Sequence, residues 1–298
     1  MNEAVTWLTT IVSTVAAVVG VVLAWPAFAD WRRDRTATAV AAAPTPDVSV
    51  LESIRERRVI RVGCIPFPPL MSCSPGTGSA DGLYALVLED VAARLGFAVE
   101  YVPLRNDTAM DRLLDGKVDL VACLLETPER VKLASFTSRI HQMAICGVVR
   151  RDSTRISSQT DLRKPDVRAV VAEGEIGAEV ARRHFGMSTD NGRLHEIVTS
   201  DVSSIFGQVL SRHADVAITD GLTCLDYLDA NPDMSELLMI RFTEEPLWLV
   251  PCGLMIRQGQ DDLAALLEDE VRRSLSDPRI EAANAAITTR SRNVIREM

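Results

Sequence analysis

The chain alternates short apolar runs with segments of helical periodicity, and this alternation constrains its fold more than any other feature. Residues 118–123 read VDLVAC, which is typical of one buried strand in a parallel sheet. Residues 83–95 instead carry apolar side chains at helical spacing, and Gly96 follows them as a stop signal. Strands that alternate with helices predict parallel α/β sheets that are covered on both faces.

The order of these segments predicts two α/β units. The predicted strands are residues 58–63, 99–102, 118–123, 143–150, 167–172, 194–198, 214–219 and 252–257. The composition changes at Arg150–Ser153, which we interpret as a crossing between two lobes with a cleft between them. We expect a domain at 51–298, with a first lobe of about 51–150 and 243–298 and a second lobe of about 151–242.

Charge and composition exclude several classes of function. The 298 residues carry a net charge of −9, spread along the chain, and this argues against a nucleic-acid partner. The four histidines do not lie in a close cluster with cysteine or aspartate, so we predict no metal site and no cofactor.

The N-terminal segment indicates a membrane. Residues 4–29 are 26 positions without a charged side chain, long enough to cross a bilayer as a helix. We predict a membrane anchor or signal segment at 1–31, followed by a flexible linker of small residues and prolines at 32–50. Cleavage after Ala29 would release the domain, but residues 1–7 lack the basic charge of a signal peptide, which favours an uncleaved anchor. Arg32, Arg33 and Arg35 follow the segment and, by the positive-inside tendency, favour a cytoplasmic location for this side.

Arg130 is the first candidate for ligand binding. It follows the strand at 118–123 on a turn that reads Thr127-Pro128-Glu129-Arg130, where Pro128 can open a helical turn. Ligands of open α/β sheets bind beyond the carboxyl ends of strands, and a guanidinium there can clamp a carboxylate with two hydrogen bonds. The alternative is a surface arginine that pairs with Glu126 or Glu129.

Several stretches carry a resemblance to a known family. They are residues 58–63 with Phe67-Pro68-Pro69, Asp81-Gly82 with the helix up to Leu95-Gly96-Phe97, residues 113–119, the T-P-E-R turn, residues 214–220 and residues 252–257. In order and spacing they resemble the family 3 extracellular solute-binding proteins, the amino-acid-binding members of the type II periplasmic binding fold. The resemblance covers about residues 51–287 and implies a two-lobed α/β fold with a ligand cleft.

The resemblance implies roles for individual residues. Phe67 matches the aromatic residue that packs on the ligand, and Arg130 matches the arginine that binds its α-carboxylate. Asp220 matches the second-lobe carboxylate that accepts from the α-ammonium, and Thr127 and Glu175 complete the predicted ligand-binding set. The alternatives are ordinary loop packing for Phe67 and a helix cap before the next helix for Asp220.

The chain departs from the family pattern at several site positions. Hydroxyl residues that usually precede the arginine turn are replaced by Cys123 and Leu125, and Glu175 follows Gly174 where the family usually has serine or threonine. Tyr84 stands at a helix entry where many relatives carry aspartate. These changes leave a ligand other than a common amino acid open.

The resemblance also implies an extracytoplasmic, membrane-anchored protein that presents a small solute, an amino acid or related carboxylate, to an ABC transporter permease. Two alternatives remain open: a membrane-tethered sensor, and a cyclohexadienyl-dehydratase-like enzyme that uses Glu175 as general acid. Six cysteines in an exported domain permit disulfides, and the pair Cys64–Cys73 would close the shortest loop and hold Phe67. Cys123 and Cys146, in apolar strands, fit buried free thiols better.

Overall fold

The computed structural model describes residues 49–74, 78–199, 201–292 and 294–297, all within one compact unit at residues 48–298. The predicted membrane segment at 1–31 and linker residues 32–48 lie outside the described residues. Within those ranges, no helix combines the length and the apolar character that a membrane crossing requires.

The described residues form strands and helices that we number in chain order. The strands are β1 (Val59–Cys64), β2 (Ser72–Cys73), β3 (Ala80–Asp81), β4 (Ala98–Pro103), β5 (Leu120–Leu125), β6 (Ala134–Arg150), β7 (Ala169–Ala172), β8 (Leu194–Ile197), β9 (Val216–Asp220), β10 (Leu238–Arg241), β11 (Trp248–Arg257) and β12 (Ile295–Glu297). The α-helices are α1 (Val50–Arg57), α2 (Leu83–Leu95), α3 (Ala109–Leu114), α4 (Pro128–Val131), α5 (Ile176–Phe185), α6 (Val202–Leu210), α7 (Gly221–Ala230), α8 (Pro232–Leu237), α9 (Asp261–Leu275) and α10 (Pro278–Arg290).

The main sheet consists of two parallel halves joined by two antiparallel strands. Its order is β4-β1-β5-β11-β6-β9-β7-β8, and β10 and β12 also pair with β6. Strand β1 is parallel to β4 and β5, and β7 is parallel to β8 and β9. We call the half with β1, β4 and β5 the first lobe and the half with β7, β8 and β9 the second lobe. The predicted α/β, two-lobed architecture is confirmed.

Strand β6 belongs to both lobes. Its 17 residues pair with β11 from Ala134 to Ile145 and with β9 from Ile145 to Val148. The predicted crossing at Arg150–Ser153 lies at and beyond the end of this strand. The chain therefore passes between the lobes inside β6, earlier than predicted, because one continuous strand supplies ladder hydrogen bonds to both halves.

Helix α2 shows why the sequence folds as it does locally. Its predicted bounds, Leu83–Leu95, are confirmed, and Gly96 ends it with φ 68° while its N–H donates to Ala92 and Ala93. Glycine adopts this left-handed conformation without the steric cost that a side chain adds. Arg94 Nε donates to Glu270 Oε2 at 2.8 Å, which ties α2 to α9.

The ends of the domain differ from the sequence-based prediction. Ser49 caps α1, its hydroxyl donates to Asp262 Oδ2 at 2.6 Å, and Val50 is buried, so the predicted linker at 32–50 is two residues too long. Helices α8 and α10 and strand β12 were not predicted. Strand β12 pairs with β6 through Ile295 and Met143, next to the passage between the lobes.

Candidate functional site

A cavity of about 250 Å³ lies between the two lobes, and residues of both lobes line it. First-lobe residues reach it from the loops after β1, β4 and β5, and second-lobe residues from the loops after β7, β8 and β9. These are the carboxyl ends of parallel strands, the edge at which ligands of open α/β sheets bind. Phe67, Leu124 and Ile205 contribute apolar surface from both lobes.

The structure brings four of the five predicted site residues together. Phe67, Arg130, Glu175 and Asp220 all line the cavity. Thr127 is not among the described residues that line it. Its side chain instead caps the one-turn helix α4, where it accepts from the Arg130 backbone N–H at 3.4 Å. The predicted contact between Thr127 and the ligand therefore becomes, in this structure, a contact that shapes the turn carrying Arg130.

Arg130 is held by two side-chain hydrogen bonds within the first lobe. Nη1 donates to Leu125 O at 3.0 Å, and Nη2 donates to Asn106 Oδ1 at 2.9 Å. Burial lowers the pKa of Arg130, and the nearby carboxylate of Glu175 acts in the opposite direction. The guanidinium is a fixed cation at the cavity because its charge persists at any ordinary pH.

The alternative of a surface ion pair for Arg130 does not hold. Glu126 receives two hydrogen bonds from Arg139, at 2.8 and 2.9 Å, and Glu129 pairs with Lys132 at 2.7 Å. Both neighbouring carboxylates therefore pair with other cations.

Asn106 is a site residue that sequence reasoning missed. Its Oδ1 accepts from Arg130, while its Nδ2 donates to Glu175 Oε1 at 2.9 Å. The amide thus bridges a first-lobe cation to a second-lobe carboxylate across the cavity. The sequence signal that could have identified Asn106 is its position after β4, because that loop lies at the same sheet edge as the loops after β1 and β5.

Asp220 caps a helix, which was the alternative to its predicted role, and it also lies at the cavity where the predicted role would place it. It is the last residue of β9 and the N-cap of α7, where its Oδ1 accepts from Thr223 N at 2.8 Å. It also lines the cavity. Burial raises the pKa of Asp220, and the hydrogen bonds from Thr223 partly oppose that rise. The helix-cap role does not exclude ligand contact.

Glu175 is the second acidic group of the cavity. Burial raises its pKa, while the hydrogen bond from Asn106 and the charge of Arg130 act to lower it. It occupies the N-cap position of α5, but its side chain forms no capping hydrogen bond. The carboxylate is therefore directed to Asn106 rather than used to stabilise the helix.

Cys123 reaches the cavity through a β-bulge. In the ladder between β5 and β11, Leu124 pairs with Gly253 and Ala122 pairs with Leu254, so Cys123 is the extra residue. Its φ of 60° is uncommon for a residue with a side chain, and bulges often redirect a side chain at a functional site. Cys123 lines the cavity together with the two residues that follow it on β5, Leu124 and Leu125.

Tyr84 does not take part in the cavity. It is fully buried, and its hydroxyl lies 3.2 Å from His141 Nδ1. Burial raises the pKa of Tyr84 and lowers that of His141 to about 3, so both side chains are neutral near pH 7. Tyr84, at a helix entry where many relatives carry aspartate, therefore contributes to a neutral buried pair rather than to a ligand contact.

The structure shows which cysteines pair, a point that the sequence left open. Cys64 and Cys73 form a disulfide, which closes the loop containing Phe67. Cys123, Cys146, Cys224 and Cys252 are free and buried. The disulfide fixes both ends of the loop that brings the aromatic ring to the cavity.

Among the described residues, no group of three or more His, Cys, Asp or Glu side chains could hold a metal ion.

Three solved structures share this fold. An ancestral amino-acid-binding protein, described as a precursor of cyclohexadienyl dehydratase, has 22% identity and a TM-score of 0.60 over 80% of this chain and 99% of that one. A solute receptor for L-cysteine of Neisseria gonorrhoeae has 21% identity and a TM-score of 0.59 over 80% of this chain and 93% of that one. A mutant of ArgBP from T. maritima has 21% identity and a TM-score of 0.58 over 80% of this chain and 98% of that one.

Sequence comparison identifies the family. No match was found among curated protein sequences. The sequence model of the bacterial extracellular solute-binding proteins, family 3, matches residues 60–286, which is most of the chain and includes every residue placed at the cavity. The chain therefore belongs to the family 3 bacterial extracellular solute-binding proteins.

Proposed function

We propose that the domain binds an amino acid or a related small carboxylate in the cavity between its lobes. The observation that carries this proposal is the arrangement of Arg130 on the first lobe and Asp220 on the second lobe, both lining one small cavity. A guanidinium and a carboxylate on opposite walls complement the two charges of a zwitterion. The similar structures include an ancestral amino-acid-binding protein and a solute receptor for L-cysteine, and they support this choice.

The geometry of Arg130 suits the capture of a carboxylate. A guanidinium has five N–H donors, and the structure assigns one hydrogen bond to each Nη atom. These two bonds fix the plane of the group before a ligand arrives, which reduces the entropy that binding costs. Phe67, within the disulfide-closed loop, supplies apolar surface to the same cavity.

The proposal concerns binding without catalysis. Glu175 is the residue that would serve as general acid in a dehydratase, and here its carboxylate accepts a hydrogen bond from Asn106. The chain also belongs to a family of solute-binding proteins. Incubating the protein with arogenate or prephenate and finding product would contradict this part of the proposal.

The location and partner follow from the same proposal. The protein is anchored by residues 1–31 with its domain outside the cytoplasm, or is secreted if cleaved after Ala29, and it delivers its ligand to an ABC transporter permease. The family description and the uncharged residues 4–29 support this topology. The disulfide between Cys64 and Cys73 supports an oxidising compartment. Added protease should degrade the domain in intact cells or in cells with a permeabilised outer membrane; protection until the cytoplasmic membrane is broken would contradict the topology.

A test of the binding site replaces Arg130 with alanine and uses Arg139→Ala as a matched control. Arg139 is an exposed arginine that pairs with Glu126 outside the cavity lining. A thermal-shift screen of the full chain against amino acids and small carboxylates finds the ligand, since binding stabilises the native state by mass action. Calorimetry should then show that Arg130→Ala weakens binding by about 2–5 kcal/mol, the cost of leaving a desolvated charge unpaired. An unchanged dissociation constant in Arg130→Ala would refute the role.

A further inference from the structure

The cavity carries more negative than positive charge. Among the described residues that line it, the charged side chains are Arg130 and the three carboxylates Glu175, Asp201 and Asp220. A zwitterion with a neutral side chain would pair with Arg130 and with one carboxylate. It would leave the remaining carboxylates without a cation once the lobes enclose the ligand.

Asp201 and Asp220 have structural partners that account for their charge. Asp201 is exposed, caps α6 and accepts from Ser203 N at 2.9 Å, so water and the helix N-terminus stabilise it. Asp220 caps α7 and is the group to which the proposed function assigns the ligand ammonium.

Glu175 has no comparable partner. It does not cap α5, and among the described residues no lysine or arginine lies within ion-pair distance of it. Its Oε1 accepts a hydrogen bond from the neutral amide of Asn106. Burying a carboxylate without a cation in direct contact is costly, and the charge of Arg130 only partly opposes the rise that burial causes in the pKa of Glu175.

We infer that Glu175 selects a ligand with a second cation, so that the cavity takes a dibasic amino acid. The inference rests on the proposed function, in which Arg130 receives the α-carboxylate and Asp220 the α-ammonium. Glu175 then pairs with the cationic end of the ligand side chain. This contact replaces water that the carboxylate loses in the cavity, and it is unavailable to a ligand with a neutral side chain.

Three probes separate the inference from the proposed function. L-Arginine carries all three charges, L-citrulline has nearly the same shape but a neutral side chain, and agmatine keeps both cations but lacks the carboxylate. Calorimetry on the full chain should show that L-arginine binds at least about tenfold more tightly than L-citrulline, the lower end for a charged hydrogen bond. L-Lysine should exceed L-norleucine, which lacks the terminal amine, by a similar factor. Agmatine should bind more weakly than L-arginine, because Arg130 then lacks its partner.

A pair of variants tests whether Glu175 itself makes the distinction. Glu175→Gln keeps an oxygen that can accept from Asn106 Nδ2 but removes the charge. It should reduce the preference for L-arginine over L-citrulline by about tenfold. Glu173→Gln makes the same charge change two residues away, at an exposed position outside the cavity lining, and should leave the preference unaltered.

Each outcome has one meaning. Equal binding of L-arginine and L-citrulline, or a preference that persists in Glu175→Gln, overturns the inference while the amino-acid site stands. A preference lost equally in Glu173→Gln also overturns it, because the effect would come from overall charge rather than from contact. Agmatine binding as tightly as L-arginine refutes the carboxylate role of Arg130 and hence the proposed function, although Glu175 can still select the cation. If none of the probes binds, both ideas fail.

Discussion

Asp220→Asn separates the two roles that one carboxylate combines in this structure. Asp220 accepts from Thr223 N at 2.8 Å as the cap of α7, and it lines the ligand cavity. Asparagine is as good an N-cap as aspartate, so the variant retains the helix start and loses only the charge. Asp220→Ala is the comparison that loses both.

The two roles predict different magnitudes. Without ligand, Asp220→Asn should not lower the free energy of unfolding, whereas Asp220→Ala should have a value about 1 kcal/mol below that of Asp220→Asn, because it lacks the cap. With an amino acid, Asp220→Asn should weaken binding by about 1.5–3 kcal/mol, the range for a hydrogen bond to a charged group. Burial raises the pKa of Asp220 in the native state, so ionising it there opposes folding as pH rises through that raised value. The uncharged asparagine does not incur this cost near pH 7.

The assay pairs urea unfolding with calorimetry on two ligands. L-Arginine is compared with 5-guanidinopentanoate, which is the same molecule without its α-amine. Asp220→Asn should weaken the first ligand and spare the second, because a ligand without the amine never paired with the carboxylate. An equal loss for both ligands, or a stability loss as large as that of Asp220→Ala, would show that Asp220 acts only as a helix cap.

Three further predictions concern the scaffold. His141 stays neutral in the native state down to about pH 3, whereas the unfolded chain protonates it below about 6.5, so native stability falls as pH drops through that window. In His141→Gln, urea unfolding from pH 7 to 4 should show a decline shallower by up to about 1.4 kcal/mol per pH unit, and an identical decline would contradict the assignment. Gly177→Ala should cost about 2 kcal/mol or more, because its Cβ would lie 2.0 Å from a carbonyl oxygen, while Gly207→Ala, with open space around it, should gain about 0.5–1 kcal/mol. Similar unfolding free energies for the two alanine variants would refute the close approach. Reduction of Cys64–Cys73, which closes a loop of sequence separation 9, should lower the free energy of unfolding by about 2–3 kcal/mol, and a reductant-independent value would contradict this.

Local sequence patterns were sufficient to predict an element when the residues that define it lie within it or directly beside it. Helix α2 was predicted to the residue because it has an apolar face of its own and because Gly96 directly follows it as a stop signal. Arg130 was located because it lies on the turn that follows a recognisable buried strand, and Asp220 was located through the resemblance to the family. The structure places both residues at one cavity.

Features that depend on distant partners could not be predicted. The bulge at Cys123 exists only in the register between β5 and β11, and no local pattern indicates it. Asn106 became a site residue through bonds to Arg130 and Glu175, on two other segments. Thr127 was predicted as a ligand contact, and in the structure its hydroxyl accepts from the backbone N–H of Arg130 on its own turn.

The first half of β6 and helix α10 were among the parts of the fold that were missed, because their apolar patterns are weak. The first half of β6 includes Thr137, Ser138 and His141, polar residues that interrupt the apolar run, although all three are buried beside β11. Helix α10 buries only Ile280 fully, so it lacks the stripe that identifies an amphipathic helix.

The position of β11 between β5 and β6 also determines the order in which the chain can assemble. The second lobe takes its strands and helices from one contiguous segment that ends with β10, so most of its contacts are close in sequence. The first lobe needs β11 and α9, which follow β5 by more than a hundred residues. Contacts at such separation slow folding, because a long loop must close before they form. During synthesis the second lobe can therefore form first, and the sheet of the first lobe stays open at β5 until β11 has been made.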